Sequence, residues 1–290
     1  MRRSLSLKTW IIGLVALALS ACSAVRLGYD NGPSLALWWL DGYLDLDRAQ
    51  EARAKPALQD WFDWHRGTQL PDYARLLATW QARSAGSVTG EEICGWSDQV
   101  RDKLQAAVER ALPAVAQLLP QVGAAQWQFL EKRFAERAAE LRAEHAQARP
   151  EERQAAALDR AVDRSEQFYG RLSAAQKKLL ADSIASTPMA SEEWIGERET
   201  RQRELVQALR RAHQEPDPAR RLAALRSTAQ TYLRPADGAY GERQARWQAH
   251  SCALSARLHN STTPAQREHL RERLAAWQED VQALAAAASP

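Results

Sequence analysis

The sequence predicts an all-α fold, an elongated multi-helix bundle of roughly eight to ten helices. Apolar residues recur at helical spacing, as at Leu104, Val108, Leu112 and Val115. Alternating runs of β-branched residues, which are typical of strands, are absent from the sequence. Proline, glycine and capping residues divide the chain into segments of helical length.

These boundary signals place the helices in order along the chain. They are predicted at 34–43, 47–66, 71–85, 89–119, 123–148, 150–170, 173–186, 191–213, 218–233, 240–259 and 264–287. Pro33 suits a first helical turn. Pro56 predicts a kink and Pro113 an interruption, because an interior proline lacks the N–H donor of its turn.

The N-terminal segment has the layout of a targeting signal. Residues 1–8 contain three basic residues and no acid, and residues 10–19 are almost wholly apolar. Ten residues give a helix of roughly 15 Å, which is too short to cross a hydrocarbon core of ~30 Å. Leu19-Ser20-Ala21-Cys22 then resembles the lipobox of bacterial lipoproteins. That resemblance implies cleavage between Ala21 and Cys22 and acylation of Cys22, for example with palmitate.

The same resemblance implies a location and a domain plan. Ser23 follows Cys22, where lipoproteins retained at the inner membrane often carry aspartate. We therefore expect an outer-membrane anchor that faces the periplasm of a Gram-negative bacterium. The alternative is an ordinary secretory signal with an incidental cysteine. The expected parts are a signal peptide (1–21), a lipidated tether (22–32) and a single all-helical periplasmic domain (33–290).

The charge balance argues against a nucleic-acid partner. The formal net charge of +3 comes from Arg2, Arg3 and Lys8, which leave with the signal peptide. The mature chain then has equal numbers of basic and acidic residues, so no excess of positive charge favours phosphate binding. The membrane, reached through the lipid, is the expected partner, together with an envelope protein or a cell-wall polymer.

Two cysteines remain after Cys22 is acylated. Cys94 and Cys252 form an even pair in an oxidising compartment, which makes them a candidate disulfide. The alternative is two buried free thiols. A bond would require their Cα atoms to lie within about 4.4–6.8 Å of each other, and the first and last thirds of the chain would then pack together.

One helix-start signature occurs four times, although no strict repeat period is visible. A capping position is followed three residues later by glutamine in Asp47-x-x-Gln50, Gly123-x-x-Gln126, Ser173-x-x-Gln176 and Thr263-x-x-Gln266. Helix capping alone explains this layout. The signature also resembles the Leu-Thr-x-x-Gln motif of small helical periplasmic chaperones of the Spy and CpxP kind, which implies a chaperone role as an alternative.

Aromatic residues near the N-terminus are candidates for binding. Trp38, Trp39, Tyr43, Trp61 and Trp64 lie in a stretch that contains six of the eleven tryptophans. Core packing explains most tryptophans in a helical protein. The alternatives are contact with a membrane interface near the anchor, or an aromatic groove for a peptide or a sugar.

Recognisable catalytic and metal-binding patterns are missing from the sequence. It has no His-Glu-x-x-His set, nucleophile elbow, P-loop or dinucleotide fingerprint, so we expect no metal and no cofactor. Asp41, Asp45 and Glu51 could form an acid pair, which would suit a cell-wall hydrolase. A solvated acidic face with Asp47 as a helix cap is the competing interpretation.

The mature N-terminal part also resembles a known family. The segments are Cys22–Pro33, Trp38-Trp39-Leu-Asp-Gly-Tyr43, Trp61-Phe-Asp-Trp-His65 and Leu70-Pro-Asp-Tyr73. They resemble uncharacterised proteobacterial lipoproteins, catalogued as a domain of unknown function. That resemblance implies no chemistry. The sequence thus favours a non-enzymatic, outer-membrane-anchored binding or scaffold protein, with a chaperone and a cell-wall hydrolase or accessory factor as alternatives.

Overall fold

The computed structural model describes residues 24–234 and 237–287, and all regular structure in those ranges is helical. The all-α prediction is confirmed. The helices are α1 (Ala24–Asp30), α2 (Gly32–Leu44), α3 (Arg48–Trp64), α4 (Leu70–Arg83), α5 (Gly90–Leu118), α6 (Ala124–His145), α7 (Pro150–Tyr169), α8 (Ala174–Ala185), α9 (Ser191–Gln214), α10 (Pro218–Leu233), α11 (Gly238–Asn260) and α12 (Pro264–Ala286). A π-helical turn, His65–Gln69, joins α3 to α4, and a 3₁₀ turn, Leu119–Gln121, follows α5.

Capping residues begin the helices close to where the sequence predicts. The side chains of Asp47, Thr89, Ser173 and Thr263 accept hydrogen bonds from N–H groups of the first turn. In each case a glutamine or glutamate three residues later accepts from the N–H of the capping residue, which completes a capping box. Local chemistry therefore accounts for most helix boundaries.

The predicted interruption of a helix at Pro113 is wrong, because α5 is continuous there. Helix α3 continues through Pro56, and α5 continues through Pro113. An interior proline costs about 3 kcal/mol, and packing against neighbouring helices can offset this cost. Leu112 and Ala116, on either side of Pro113, are buried and hold that part of α5 in the core.

The segment expected to be a tether is folded over its described part. Residues 24–30 form α1, and Arg26 Nε donates to Asp280 Oδ1 of α12 at 2.8 Å. The Tyr29 hydroxyl lies 2.8 Å from His65 Nδ1. A helix of one or two turns has little stability alone, so these tertiary contacts hold α1 in place. They also join the beginning of the described chain to its end.

The four glutamines of the recurring signature form two reciprocal pairs. Gln50 and Gln126 each donate Nε2 to the other's Oε1, at 3.0 and 2.7 Å. Gln176 and Gln266 do the same at 2.9 and 3.0 Å. Each glutamine also accepts from the N–H of its own cap and donates to a carbonyl two residues before its partner's cap. The signature thus joins helical hairpins as well as capping helices.

The two pairs belong to two copies of one helical frame. The first frame is α2, α3, α5 and α6, and the second is α7, α8, α11 and α12. In both, the first helix packs on the second and fourth, and the second packs on the third. Residues 43–50 and 169–176 share tyrosine, leucine, alanine and glutamine at matching positions, 126 residues apart. The second hairpins recur 140 residues apart, from Gln126 to Gln266, so the sequence shows no single period.

The two frames interlock. Helix α4 leaves the first frame and packs on α12, while α9 leaves the second frame and packs on α6. Between them α5 packs on α11, where a Cβ on Gly90 would lie 3.3 Å from Ala253 Cα. The disulfide suggested by the sequence is present at this crossing, with the Cα atoms of Cys94 and Cys252 5.5 Å apart. The first and last thirds of the chain therefore pack together.

We predict that removing the disulfide lowers stability without changing the fold. The bond closes a loop of 158 residues, and its loss should reduce the free energy of unfolding by about 3–5 kcal/mol, because the unfolded chain gains freedom. Urea unfolding of the Cys94→Ala/Cys252→Ala variant should match that of the reduced wild type. Thiol labelling of the denatured, unreduced mature protein should find neither cysteine free. Two free thiols per chain would contradict the bond.

We predict that the second glutamine pair behaves as one unit. Gln176→Ala and Gln266→Ala should each lower the free energy of unfolding by about 1–3 kcal/mol, because the remaining buried amide loses a partner. The double variant should cost less than the sum of the two, with a coupling of about 0.5–3 kcal/mol. Gln105→Ala, on the exposed side of α5, is the control and should have little effect. Strict additivity would show that the pairing has no energetic role.

Candidate functional site

Two of the five candidate aromatic residues lie on an exposed face of α1 and α2. Trp38 is 75% exposed and Trp39 is 56% exposed. Exposed positions recur every three or four residues along this part of the chain, as on one side of a helix. We call this surface the α1–α2 face; its residues are Leu27, Gly28, Asn31, Ser34, Leu35, Trp38, Trp39 and Gly42. It carries no charge.

Tyr43 packs beneath this face rather than on it. Its ring lies 4.7 Å from that of Trp39 and 5.9 Å from that of Phe134 on α6, measured between centroids. Tyr43 is half-buried and packs against the core of the first frame. It therefore supports Trp39 from below, and core packing explains Tyr43 but not Trp38 or Trp39.

Trp61 and Trp64 belong to a separate aromatic cluster around His65. The His65 imidazole is buried, stacks on Trp61 at 4.8 Å between centroids, and lies 3.2 Å from the Tyr73 hydroxyl through Nε2. Burial lowers the pKa of His65, and it raises the pKa of Tyr29, the tyrosine on the other ring nitrogen, to about 12. Neutral rings thus fill this space and hold α1 against α3. In the described residues, no ring contact links this cluster to Trp38 or Trp39.

The acidic residues considered for hydrolysis have structural contacts. Asp41 Oδ1 accepts from the Leu46 N–H at 2.9 Å, and Asp45 ends α2 in a left-handed conformation with φ of 48°. Asp47 caps α3, and Glu51 lies 4.0 Å from Lys55 Nζ one turn away. The turn between α2 and α3 accounts for these carboxylates, so the observation behind the hydrolase hypothesis has a structural explanation.

The sequence reasoning missed a cleft in the second frame. It has a volume of about 550 Å³ and opens between α7, α8, α11 and the facing ends of α6 and α9. Its walls are mostly apolar, with Ile184, Leu254, Trp194 and Trp247 among them. This size lies in the usual range for small-ligand sites. Widely spaced tryptophans in different helices carry no local pattern, so only the folded chain brings them together.

The corresponding space in the first frame is filled. There Trp61 reaches from the end of α3 to α5 and donates Nε1 to the Ala107 carbonyl at 2.9 Å. Thr187 stands 126 positions after Trp61, and Trp247 stands 140 positions after Ala107. Trp61 lies within α3, whereas α8 ends at Ala185, before Thr187. The second frame therefore keeps an opening where the first frame is closed.

Apart from hydroxyl and amide groups, the polar side chains that line the cleft are basic. Arg160, His145 and His250 line it, and no carboxylate does so. The Arg160 guanidinium donates to the Glu144 carbonyl at 3.0 Å, which fixes its position. The His145 ring packs edge-on against Trp194, and burial lowers the pKa of this imidazole. An apolar group with an acceptor or anionic end matches this lining.

One serine–histidine contact in the cleft wall is structural. Ser183 Oγ lies 2.7 Å from His250 Nε2, and the Ser183 carbonyl lies 3.0 Å from the same nitrogen. Ser183 is only 3% exposed. The contact ties α11 to α8 and does not present the hydroxyl to a substrate.

Metal-binding clusters and spanning helices were sought across the described ranges. No group of three or more histidine, cysteine, aspartate or glutamate side chains in those ranges is arranged to hold a metal ion. None of the described helices is both long and apolar enough to cross a bilayer. Ala21 and Cys22, the predicted cleavage and lipidation sites, lie outside the described residues.

The fold and these surfaces define an all-α protein with an apolar cleft and a separate exposed aromatic face. The chain belongs to the family of unknown function DUF6279, whose family model matches residues 42–235. The match takes in α3 to α10, so α1, most of α2, α11 and α12 lie outside it. Comparisons with curated proteins and with solved structures give no match.

Proposed function

We propose that this protein is a non-enzymatic binding protein of the periplasm, anchored in the outer membrane through acylated Cys22. The cleft of the second frame carries the proposal. It offers aromatic walls, a few fixed polar groups and a volume of about 550 Å³. The N-terminal targeting pattern supports the location, because it ends at Cys22, two residues before α1 begins.

The cleft favours a ligand with an apolar body and an anionic or hydrogen-bond-accepting end. Trp194, Trp247 and Leu254 would contact the body. Arg160 is the one permanently charged lining group, and in the absence of a carboxylate its charge is available to an anionic end. An envelope peptide with a carboxylate end or an acidic aromatic compound has this chemistry.

The residues that suggested the chaperone and hydrolase alternatives have structural contacts that explain them. The glutamines of the chaperone-like signature are occupied in buried pairs or in contacts between hairpins. Asp41 accepts from the backbone of the turn after α2, and Asp47 caps α3. A chaperone role would therefore have to use an exposed apolar surface rather than the signature itself.

Binding of a matched probe tests the cleft. Anilinonaphthalene sulfonate has an aromatic body and an anionic end, and we expect it to bind the folded protein with a rise in fluorescence. Ala157→Trp places a bulky ring in the cleft and should weaken this binding by about tenfold or more, since the probe's apolar contacts are lost. Ala155→Trp, on the exposed side of the same helix, is the matched control.

A second probe separates charge recognition from apolar contact. N-phenylnaphthylamine has a similar aromatic body without the sulfonate, so Arg160→Gln should weaken binding of the sulfonate and leave this neutral probe nearly unaffected. Equal binding of the sulfonate by wild type, Ala157→Trp and Ala155→Trp would overturn the cleft as the binding site.

The location is tested at Cys22. In wild-type cells, mass spectrometry of the N-terminal peptide should find an acylated Cys22, and the protein should sediment with outer membranes. Cys22→Ser should block acylation and either release the protein into the soluble periplasm or leave it unprocessed. A mutant that is still acylated and still in the outer-membrane fraction would contradict the anchor.

A further inference from the structure

Exposed apolar side chains are concentrated at the N-terminal end of the described chain. Ten large hydrophobic residues are exposed in the described ranges, and five of them lie between positions 25 and 39. They are Val25, Leu27, Leu35, Trp38 and Trp39. The other five are spread over α5, α10 and α11. Such a concentration marks an interaction surface rather than the ordinary scatter of surface hydrophobic residues.

The charged side chains of α1 and α2 form ion pairs or hydrogen bonds with groups outside these two helices. Arg26 pairs with Asp280, and Asp30, whose side chain is 56% exposed at the edge of the face, lies 2.9 Å from Arg66 Nη2. Asp41 accepts from the backbone at the start of the next turn. These are the three charged residues between positions 24 and 44, so the α1–α2 face keeps an uncharged surface along its length.

The α1–α2 face has the dimensions and composition of an interfacial helix. From Leu27 to Gly42 it runs for roughly 22 Å along the helical path. Its two tryptophans are the residue type that prefers the boundary between headgroups and acyl chains. A helix that buries one apolar side in that boundary, without crossing the membrane, needs this arrangement.

The length of chain before the face places it near a membrane. Leu27 follows Cys22 by five residues, which reach at most about 18 Å when fully extended. An acyl group on Cys22 would therefore hold the face within that distance of the headgroups. An exposed apolar surface so close to an anchor has a bilayer as its nearest apolar neighbour.

We propose that the α1–α2 face lies in the membrane interface and lays the protein body along the membrane that holds Cys22. The inference rests on the membrane location in the proposed function and adds a second, non-covalent contact to it. Two membrane contacts hold a protein far more firmly than either alone and also fix its orientation. The occupant is a phospholipid bilayer.

Vesicle binding without the acyl group tests the face independently of the anchor. The mature chain carrying Cys22→Ser is sedimented with vesicles of phosphatidylethanolamine and phosphatidylglycerol. We expect measurable binding, and we expect Leu35→Ser/Trp38→Ser/Trp39→Ser to weaken the partition coefficient by about tenfold or more. Val100→Ser/Leu104→Ser removes exposed apolar groups from α5 and should bind like the parent chain.

Two further measurements distinguish a bilayer from other possible occupants of the α1–α2 face. They are the depth of the tryptophans in the bilayer and the self-association of the chain. Lipids brominated near the glycerol end of their acyl chains should quench part of the tryptophan fluorescence of the parent chain, and the triple variant should lose that quenched part. The parent chain should sediment as a monomer without vesicles. A dimer that the triple variant abolishes would assign the face to a second copy and overturn the proposal.

Failure of the anchor and failure of the face give different results. An unmodified Cys22 in cells, with vesicle binding intact, would remove the anchor and leave the face. An acylated Cys22 together with no vesicle binding by the Cys22→Ser chain would overturn the face. Equal binding by the triple variant and the α5 variant would overturn it as well.

Discussion

Reciprocal hydrogen bonds between glutamine amides set the geometry on which this fold depends. Each amide accepts from its own helix start, exchanges hydrogen bonds with its partner and donates to the turn before the partner's helix. An amide in a helical core is costly unless its hydrogen-bonding groups are satisfied. Here that is achieved only when two hairpins meet with their turns side by side. The same requirement at Gln50 and Gln126 gives the chain two frames of the same design.

The two frames share a skeleton but differ in what fills them. In the first, Trp61 occupies the space between α3 and α5, and the rings around His65 join α1, α3 and α4. In the second, α8 ends at Ala185, and the cleft opens beside the turn that follows it. A filled frame contributes stability, whereas an open one offers a site. One copy of the frame is thus packed with side chains, and the other contains a cleft.

The interlocking of the frames makes one body from the two copies. Helices α4 and α9 each pack across to the opposite frame, and the Cys94–Cys252 disulfide lies where α5 meets α11. The N-terminal helix is attached to the same body through Arg26 and Asp280. A surface displayed on α1 and α2 is therefore held in a fixed relation to the cleft, which matters for a protein that would bind a ligand while held close to a membrane.

The sequence by itself determined the helical class, most helix boundaries and the candidate disulfide. These depend on capping chemistry, proline and glycine placement, apolar spacing and cysteine parity, which act within a few residues or through composition. The sequence could not say that α1 is folded, that α5 is unbroken at Pro113, or which tryptophans are exposed. Trp127 is buried and Trp38 is exposed, although both lie within helices.

Only the tertiary structure decided these points, because they depend on which helices meet. The glutamine pair of the first frame joins residues 76 positions apart, and the contact that docks α1 joins residues 254 positions apart. The cleft is lined by helices that are far apart in the sequence. The hairpins of the two frames also recur at different spacings, so no single period in the sequence marks the cleft. Local signals specify where helices begin and end, whereas long-range packing decides what lies between them and which faces are left uncovered.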